Sequence, residues 1–228
     1  PFLAAAVARI AREGIIAVTA TDTAALTGTY PKVTKRKYWA RAVRTYLMHE
    51  MGLRILIRKV QLQGVQFDKA LIPILSYHKD HYFRIYFRCV KGKEKCDGLL
   101  KQQQYLLFDP KTLEFEISEF NNQNGSEYLG PLWTGKLNDT TLLTTMTKNN
   151  PFPEEQTFLD LLLEESKNDV VGFYDLHVIA KKYGLETTKI GPLLKKVKGV
   201  RTHFSPTGIK SKANIKDVVK ILKTSGRG

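Results

Sequence analysis

The chain has 228 residues, 43% of them hydrophobic and 25% charged, with a formal net charge of +14. That length and apolar content suit one or two domains with real cores, and no apolar run reaches the ~18–20 residues needed to span a bilayer. The two cysteines, Cys89 and Cys96, are too few for a disulfide framework or a four-ligand zinc site and point to a reducing, cytoplasmic setting, with a single bridge as the alternative.

The start, PFLAAAVARIAREG, places Phe2, Leu3, Ala6, Val7 and Ile10 at helical spacing, with Gly14 as the stop. It reads as an amphipathic helix rather than a secretory leader. IIAVTAT (15–21) is a continuous apolar run rich in β-branched residues and predicts a buried parallel strand. After a long loop, RKYWARAVRTYLMHEMG predicts a helix ending at Gly52, and LRILIRKVQLQGVQF a second helix or an extension. KALIPILSYHK and HYFRIYFRCVK predict a hairpin, irregular at Pro73. This order fits the last part of a doubly wound α/β sheet with an antiparallel final strand.

After Gly92 the composition shifts. YLLFD and EFEIS predict short strands, YLGPLWTG a turn-rich connector, and DTTLLTTMTKN and EEQTFLDLLLEESKN helices. FYDLHVIAKKYGL and TTKIGPLLKKVK come next as two helices around a turn at Gly184. A hairpin-like VRTHFSPTGIK and a last helix, NIKDVVKILKT, complete a winged-helix-like arrangement. The fold class is therefore α/β followed by an α+β C-terminal domain. The boundary is placed between residues 91 and 92, with the winged-helix-like part at about 151–228.

The charge is segregated. Residues 32–59 carry nine basic side chains against one acid, residues 189–227 eleven against one, and residues 109–169 twelve acids against four lysines. Two basic blocks around an acidic one suit two contact regions for a polyanion. A lysine-rich thermophile surface explains the number of cations but not their segregation.

Thr19, Thr21 and Asp22 fall where the expected strand ends, the usual ligand edge of a doubly wound sheet. Asp22 and Thr23 equally suit a turn or helix cap. Tyr30, Tyr38 and Trp39 are interleaved with Lys32, Lys35, Arg36, Lys37, Arg41 and Arg44. Aromatics among cations stack bases, although Trp39 also suits a core position. His49 and Glu50 lack the second histidine of a metal helix motif. His78 and His81 read as surface or tRNA-facing groups and His177 as a core-edge histidine, so no metal site is expected. In RTHFSPTGIKSKA, Arg201, Lys210 and Lys212 suit phosphates, His203 and Phe204 an exposed nucleotide, and Gly208 a turn with positive φ, with Lys189, Lys195 and Lys196 on the preceding helix. A solvated basic loop is the other reading.

In that order, VTATDTAALTGTYPK, RKYWARAVRTYLMHEMGLRIL, GPLW and RTHFSPTGIKSKA resemble the tRNA (guanine-26-N2)-dimethyltransferase family of archaea and eukaryotes over nearly the whole chain. The resemblance implies the C-terminal half of a class I, Rossmann-like methyltransferase sheet. It also implies S-adenosyl-L-methionine (AdoMet) as methyl donor, tRNA as substrate, and transfer of one or two methyl groups to the guanine amine. Thr19, Thr21, Asp22, Tyr30 and Pro31 would border the active site; Lys32, Lys35, Arg36, Lys37, Tyr38, Arg41 and Arg44, and Lys189, Lys195, Lys196, Arg201, His203, Phe204, Lys210 and Lys212, would hold tRNA. Two family features are not found in this sequence: a glycine-rich AdoMet loop and an Asp-Pro-Phe-Gly-Ser-Pro motif whose aspartate handles the amine. Pro1-Phe2-Leu3 resembles the residues immediately C-terminal to that motif, so no catalytic residue is assigned in this chain. The chain alone is expected to be inactive, a monomer, and independent of membrane and DNA. The alternative is a non-catalytic tRNA-binding module acting beside a separate AdoMet-binding part. The connector KKVKGVRTHF is shorter than is usual in the family.

Overall fold

The computed structural model describes residues 2–121, 127–168, 170–186 and 190–225. Contacts divide the chain into two units, 1–108 with 116–139, and 109–115 with 140–228. The composition shift after residue 91 coincides with the start of a helix, while the units part after Asp139.

The first unit opens with α1 (Leu3–Arg9), β1 (Ile15–Ala20), α2 (Thr23–Leu26), α3 (Pro31–Tyr38) and α4 (Met48–Val65). The hairpin β2 (Lys69–Lys79) and β3 (Tyr82–Lys91) comes next, then α5 (Lys93–Leu100), β4 (Gln103–Phe108), β5 (Phe115–Ser118) and β6 (Glu127–Trp133). One sheet has the order β1-β3-β2 and the other β5-β4-β6. The hairpin forms as expected, and Pro73, which has no amide to donate, lies beside a bulge between Pro73 and Leu75. Along β3 the buried Phe83, Ile85, Phe87 and Cys89 alternate with Arg84, Tyr86 and Arg88.

Three expectations are corrected by this unit. β1 pairs antiparallel with β3, from Ile15 opposite Arg88 to Ala20 opposite Phe83, and its residues alternate exposed and half-buried. A run of β-branched residues specifies a strand but not the direction of its neighbour. The expected helix through Gly52 is broken over residues 39–47: Trp39 takes a left-handed φ of 54° and closes α3, and α4 then passes through Gly52 without a stop. Gly52 is needed for close approach, since a Cβ there would lie 3.0 Å from the Leu26 carbonyl oxygen. The connector YLGPLWTG supplies strand β6, paired with β4.

α4 is the buried axis of this unit. Met51, Leu53, Ile55, Leu56, Ile57 and Val60 are all buried, as in a helix covered on every side. Arg54 lies within it and is 1% exposed. Its Nε donates to Glu50 Oε1 at 2.8 Å, one helical turn back, and its guanidinium donates to the carbonyls of Trp133 at 3.0 Å and Gly135 at 2.9 Å. The arginine thereby fastens the end of β6 to α4. Lys69, also buried, donates to the Val7 and Ala8 carbonyls at 2.9 and 2.7 Å, where the negative end of α1 favours a cation.

The second unit contains α6 (Thr140–Lys148), α7 (Gln156–Ser166), β7 (Tyr174–Asp175), α8 (Leu176–Tyr183), α9 (Ile190–Val197), β8 (Val200–Arg201), β9 (Gly208–Lys210) and α10 (Ile215–Ser225). Its sheet order is β7-β9-β8. Asp175 caps α8 by accepting from the amides of His177 and Val178, and it also accepts from the hydroxyls of Ser205 at 2.7 Å and Thr207 at 2.9 Å. Gly184, at φ 63°, ends α8. Gly208 lies outside the positive-φ glycines; its role is proximity, because a Cβ would sit 2.5 Å from Thr202 Cγ2.

The centre of this unit is Glu165. Its carboxylate accepts from the Thr202 hydroxyl at 2.7 Å, lies 2.5 Å from His203 Nδ1, and is 3.6 Å from Lys210 Nζ. Burial by itself would raise the Glu165 pKa; the charge and hydrogen bond of His203, the charge of Lys210 and the Thr202 hydroxyl outweigh it and hold the group down at about 2, against 4.5 ordinarily. A depressed carboxyl stabilises the fold above its ordinary pKa, and that contribution fades as pH falls towards the folded value.

These two clusters are open to stability measurements. Arg54→Met leaves the Glu50 charge buried and costs about 3–5 kcal/mol, whereas adding Glu50→Gln restores part of the loss; urea unfolding monitored through tryptophan fluorescence reads both. Glu165→Gln lowers stability at neutral pH and flattens the acid-side decline between pH 4.5 and 2, as read by thermal unfolding across that range.

Candidate nucleic-acid interface

The first basic block folds into α3 and the segment after it. Pro31, with its φ already suited to a helix, stands at the first position of α3. The Thr34 hydroxyl donates to the Ala25 carbonyl, holding α3 to α2. With Thr34 turned inward, Lys32, Lys35, Arg36 and Lys37 are left exposed. Asp22 lies 3.7 Å from Lys37, and both are more than half exposed. It makes no side-chain cap to α2. Thr19, Thr21, Tyr30 and Pro31 are exposed as well. Tyr38 is half-buried, and burial followed by the Asp22 charge raises its pKa.

Arg41 and Arg44, expected on a helix, lie in the irregular segment and are exposed. Arg41 is fixed by its backbone: its amide donates to the Gly130 carbonyl at 2.7 Å, and the Gly130 amide returns the bond at 2.8 Å. Its guanidinium lies 4.5 Å from the centre of the Tyr128 ring. Tyr128 meets Tyr105 edge to face at 5.9 Å. Trp39 is 50% exposed rather than core; Lys59 Nζ sits 3.2 Å from its ring centre, and Arg58 donates to its carbonyl at 3.4 Å. Burial lowers the pKa of both Arg58 and Lys59, aided at Lys59 by the Arg58 charge. Lys32, Lys35, Trp39, Arg41, Tyr105 and Tyr128 border a cavity of about 410 Å³ with no acid among the described residues that line it. Tyr105 and Tyr128 were not singled out by the sequence, and Arg58 and Lys59 entered only as members of the first basic block. Their aromatic and basic character was visible, but the Arg41–Gly130 pairing is what brings Tyr128 and Tyr105 beside Arg41, and contacts with Trp39 are what bring Arg58 and Lys59 to the end of α3.

The second basic block divides. Lys195, Lys196, Arg201 and Lys212 are exposed, with Arg201 donating to the Pro206 carbonyl at 3.0 Å. Lys196, Lys198, Lys212 and Lys220 border a groove of about 850 Å³ that also takes in Glu164 and Asp217. Lys189 lies outside the described residues. His203, Phe204 and Lys210, expected to face a nucleotide or phosphate, are turned inward: the His203 and Lys210 side chains are 1% and 3% exposed, and Phe204 is buried. The acid that draws in His203 and Lys210, Glu165, lies 38 residues before His203 in α7, so the basic stretch read alone gave no sign of it. Lys210 also donates to the Val170 carbonyl at 3.0 Å.

Of the remaining histidines, His81 is exposed as expected, while His78 and His177 differ from the sequence reading. His49 and His78 stack at 4.2 Å, with His78 half-buried, while His81 and His177 are exposed. Burial lowers the His49 pKa. Among the described residues no group of three or more His, Cys, Asp or Glu could hold a metal ion, and no helix is long and apolar enough to cross a membrane.

Comparison with known proteins matches residues 1–223 to the family described as N2,N2-dimethylguanosine tRNA methyltransferase. The chain is 36% identical to the tRNA (guanine(26)-N(2))-dimethyltransferase of Pyrococcus furiosus, over 97% of this chain and 61% of that protein. It is 38% identical to the tRNA (guanine(26)-N(2)/guanine(27)-N(2))-dimethyltransferase of Aquifex aeolicus, over 98% and 61% respectively. A solved structure of Trm1 from Pyrococcus horikoshii with S-adenosyl-L-methionine superposes with a TM-score of 0.89 at 34% identity, covering 96% of this chain and 62% of that one. The chain thus spans 61% of the length of these two curated relatives. With its α/β sheets, its family match and its likeness to Trm1, the chain belongs to the N2,N2-dimethylguanosine tRNA methyltransferase family.

Proposed function

We propose that this chain is the tRNA-holding portion of an enzyme that methylates the exocyclic N2 of guanine 26 in tRNA, once or twice, with AdoMet as methyl donor. The observation that carries the reading is the cationic face of α3 and the segment after it, in a chain matched to this family along nearly its whole length. Lys32, Lys35, Arg36, Lys37, Arg41 and Arg44 would contact phosphates, which positions tRNA without reading its sequence. Residues 1–91 would be the later half of a class I methyltransferase sheet, ending in β1-β3-β2. Residues 92–228 would extend the tRNA contact, with 151–228 as a winged-helix-like module of α8, α9 and the β8–β9 hairpin. Lys195, Lys196, Arg201 and Lys212 are exposed in that module and would meet RNA, and the protein would work as a monomer in the cytoplasm, where its tRNA resides.

AdoMet supplies an electrophilic methyl group, and guanine's amine, conjugated with its ring, is a weak nucleophile that a nearby carboxylate would assist by accepting its hydrogen bonds. The cavity beside α3 does not fit that cofactor. The cavity beside α3 is lined by cations and aromatics with no carboxylate for a ribose diol, and Asp22 at the end of β1 faces Lys37. No chemical step is therefore assigned to this chain, whose part in the reaction is to hold the nucleic acid while a base leaves its stack.

Two experiments test the reading. The 228-residue chain mixed with AdoMet and tRNA gives no methylated guanine; turnover by this chain alone would place the chemistry within it. Lys35→Ala with Arg36→Ala weakens tRNA binding and reduces the slope of log K against log salt by about 0.7–0.9 per lost phosphate contact. An unchanged slope removes α3 from the interface.

A further inference from the structure

We infer that the cavity between α3 and β6 takes a single unpaired nucleotide of RNA, its base stacked on Trp39 and its phosphate held by Lys32 and Lys35; the inference rests on the proposed RNA-holding role of this face. The cavity, about 410 Å³, is within the ~300–1,000 Å³ range of small-ligand sites. Among the described residues, its lining combines three aromatic rings, three cations and the amide of Asn121, with no acid. An acidic peptide would be matched by the cations alone. The rings add a preference for a flat π face, and an amide, with donors and an acceptor, can read a base edge.

The rings are held ready for stacking. The Trp39 amide donates to the Lys35 carbonyl at 3.1 Å, and its carbonyl accepts from Arg58. Lys59 covers one face of the indole at 3.2 Å, yet Trp39 remains half exposed. Arg41 covers Tyr128 in the same way at 4.5 Å. A ring with a cation on one face offers the other to a base. Holding the rings in place before binding lowers the entropy lost when the ligand arrives. Lys32 and Lys35, one helical turn apart on α3, reach the same cavity. Within a duplex both faces of a base are already stacked, so this arrangement selects a nucleotide from a loop, bulge or single strand.

Tryptophan fluorescence tests this directly, because the second tryptophan, Trp133, is 4% exposed and gives a steady background. The protein is titrated with a short single-stranded oligoribonucleotide and, at the same salt, with duplex RNA of equal length. The single strand is expected to quench Trp39 more strongly than the duplex does. Trp39→Ala should remove the quench and weaken single-strand binding about 5- to 150-fold, leave duplex binding within about twofold, and be largely rescued by Trp39→Phe. Equal quenching by both RNAs, or Trp39→Ala binding the single strand like the parent, overturns the nucleotide pocket. If Lys35→Ala with Arg36→Ala still weakens binding in that case, the phosphate-holding face survives without it. If neither RNA quenches and no variant changes binding, both readings fall and the aromatic patch is left to a protein partner.

Discussion

Arg54 is the residue on which the first unit depends. A guanidinium placed inside a helix that is otherwise buried on all sides needs several acceptors, since burying a charge without them costs several kcal/mol. Glu50 supplies one from the same helix, and the carbonyls of Trp133 and Gly135 supply the others. Those carbonyls lie at the end of β6. Satisfying Arg54 therefore fixes where β6 runs, and Gly130, three residues earlier than Trp133, then meets Arg41. The aromatic and cationic cavity is a consequence of that sequence of constraints, because one wall comes from residues 31–41 and the other from β4 and β6.

The second unit solves a similar problem in another way. Its basic stretch would repel itself if it were packed together, and Glu165 makes the packing possible by meeting Thr202, His203 and Lys210 at once. Asp175 does the same for the hydroxyls of Ser205 and Thr207 while capping α8. Two acids thus convert much of RTHFSPTGIKSKA from a binding surface into a folding element. Lys195, Lys196, Arg201 and Lys212 stay exposed, as do Lys198, Lys216 and Lys220.

Much of this was legible in the sequence. Alternation and chain order gave the β2–β3 hairpin, Pro73 marked its irregularity, and Gly184 marked the end of α8. The quoted motifs gave the family. What could not be read depended on partners distant in sequence. Trp39 suited a core by its size, yet its left-handed backbone leaves it half exposed. Lys210 looked free to meet phosphate, yet Glu165, 45 residues earlier by number, buries it. Gly52 had the composition of a helix stop, and only the nearby Leu26 carbonyl reveals that it is a close-packing glycine. Local pattern specifies elements, but exposure of a charged or aromatic side chain is decided by what the fold brings opposite it.

The central claim is that this chain meets tRNA through the face made by α3, the segment after it and β6. The most direct measurement is hydrogen exchange of the protein with and without tRNA, resolved to peptides. Exchange is expected to slow in peptides covering residues 31–44 and 127–133 and to change little over 202–210, where His203, Phe204 and Lys210 are turned inward. Protection confined to 202–210, with 31–44 exchanging as in the free protein, would contradict it.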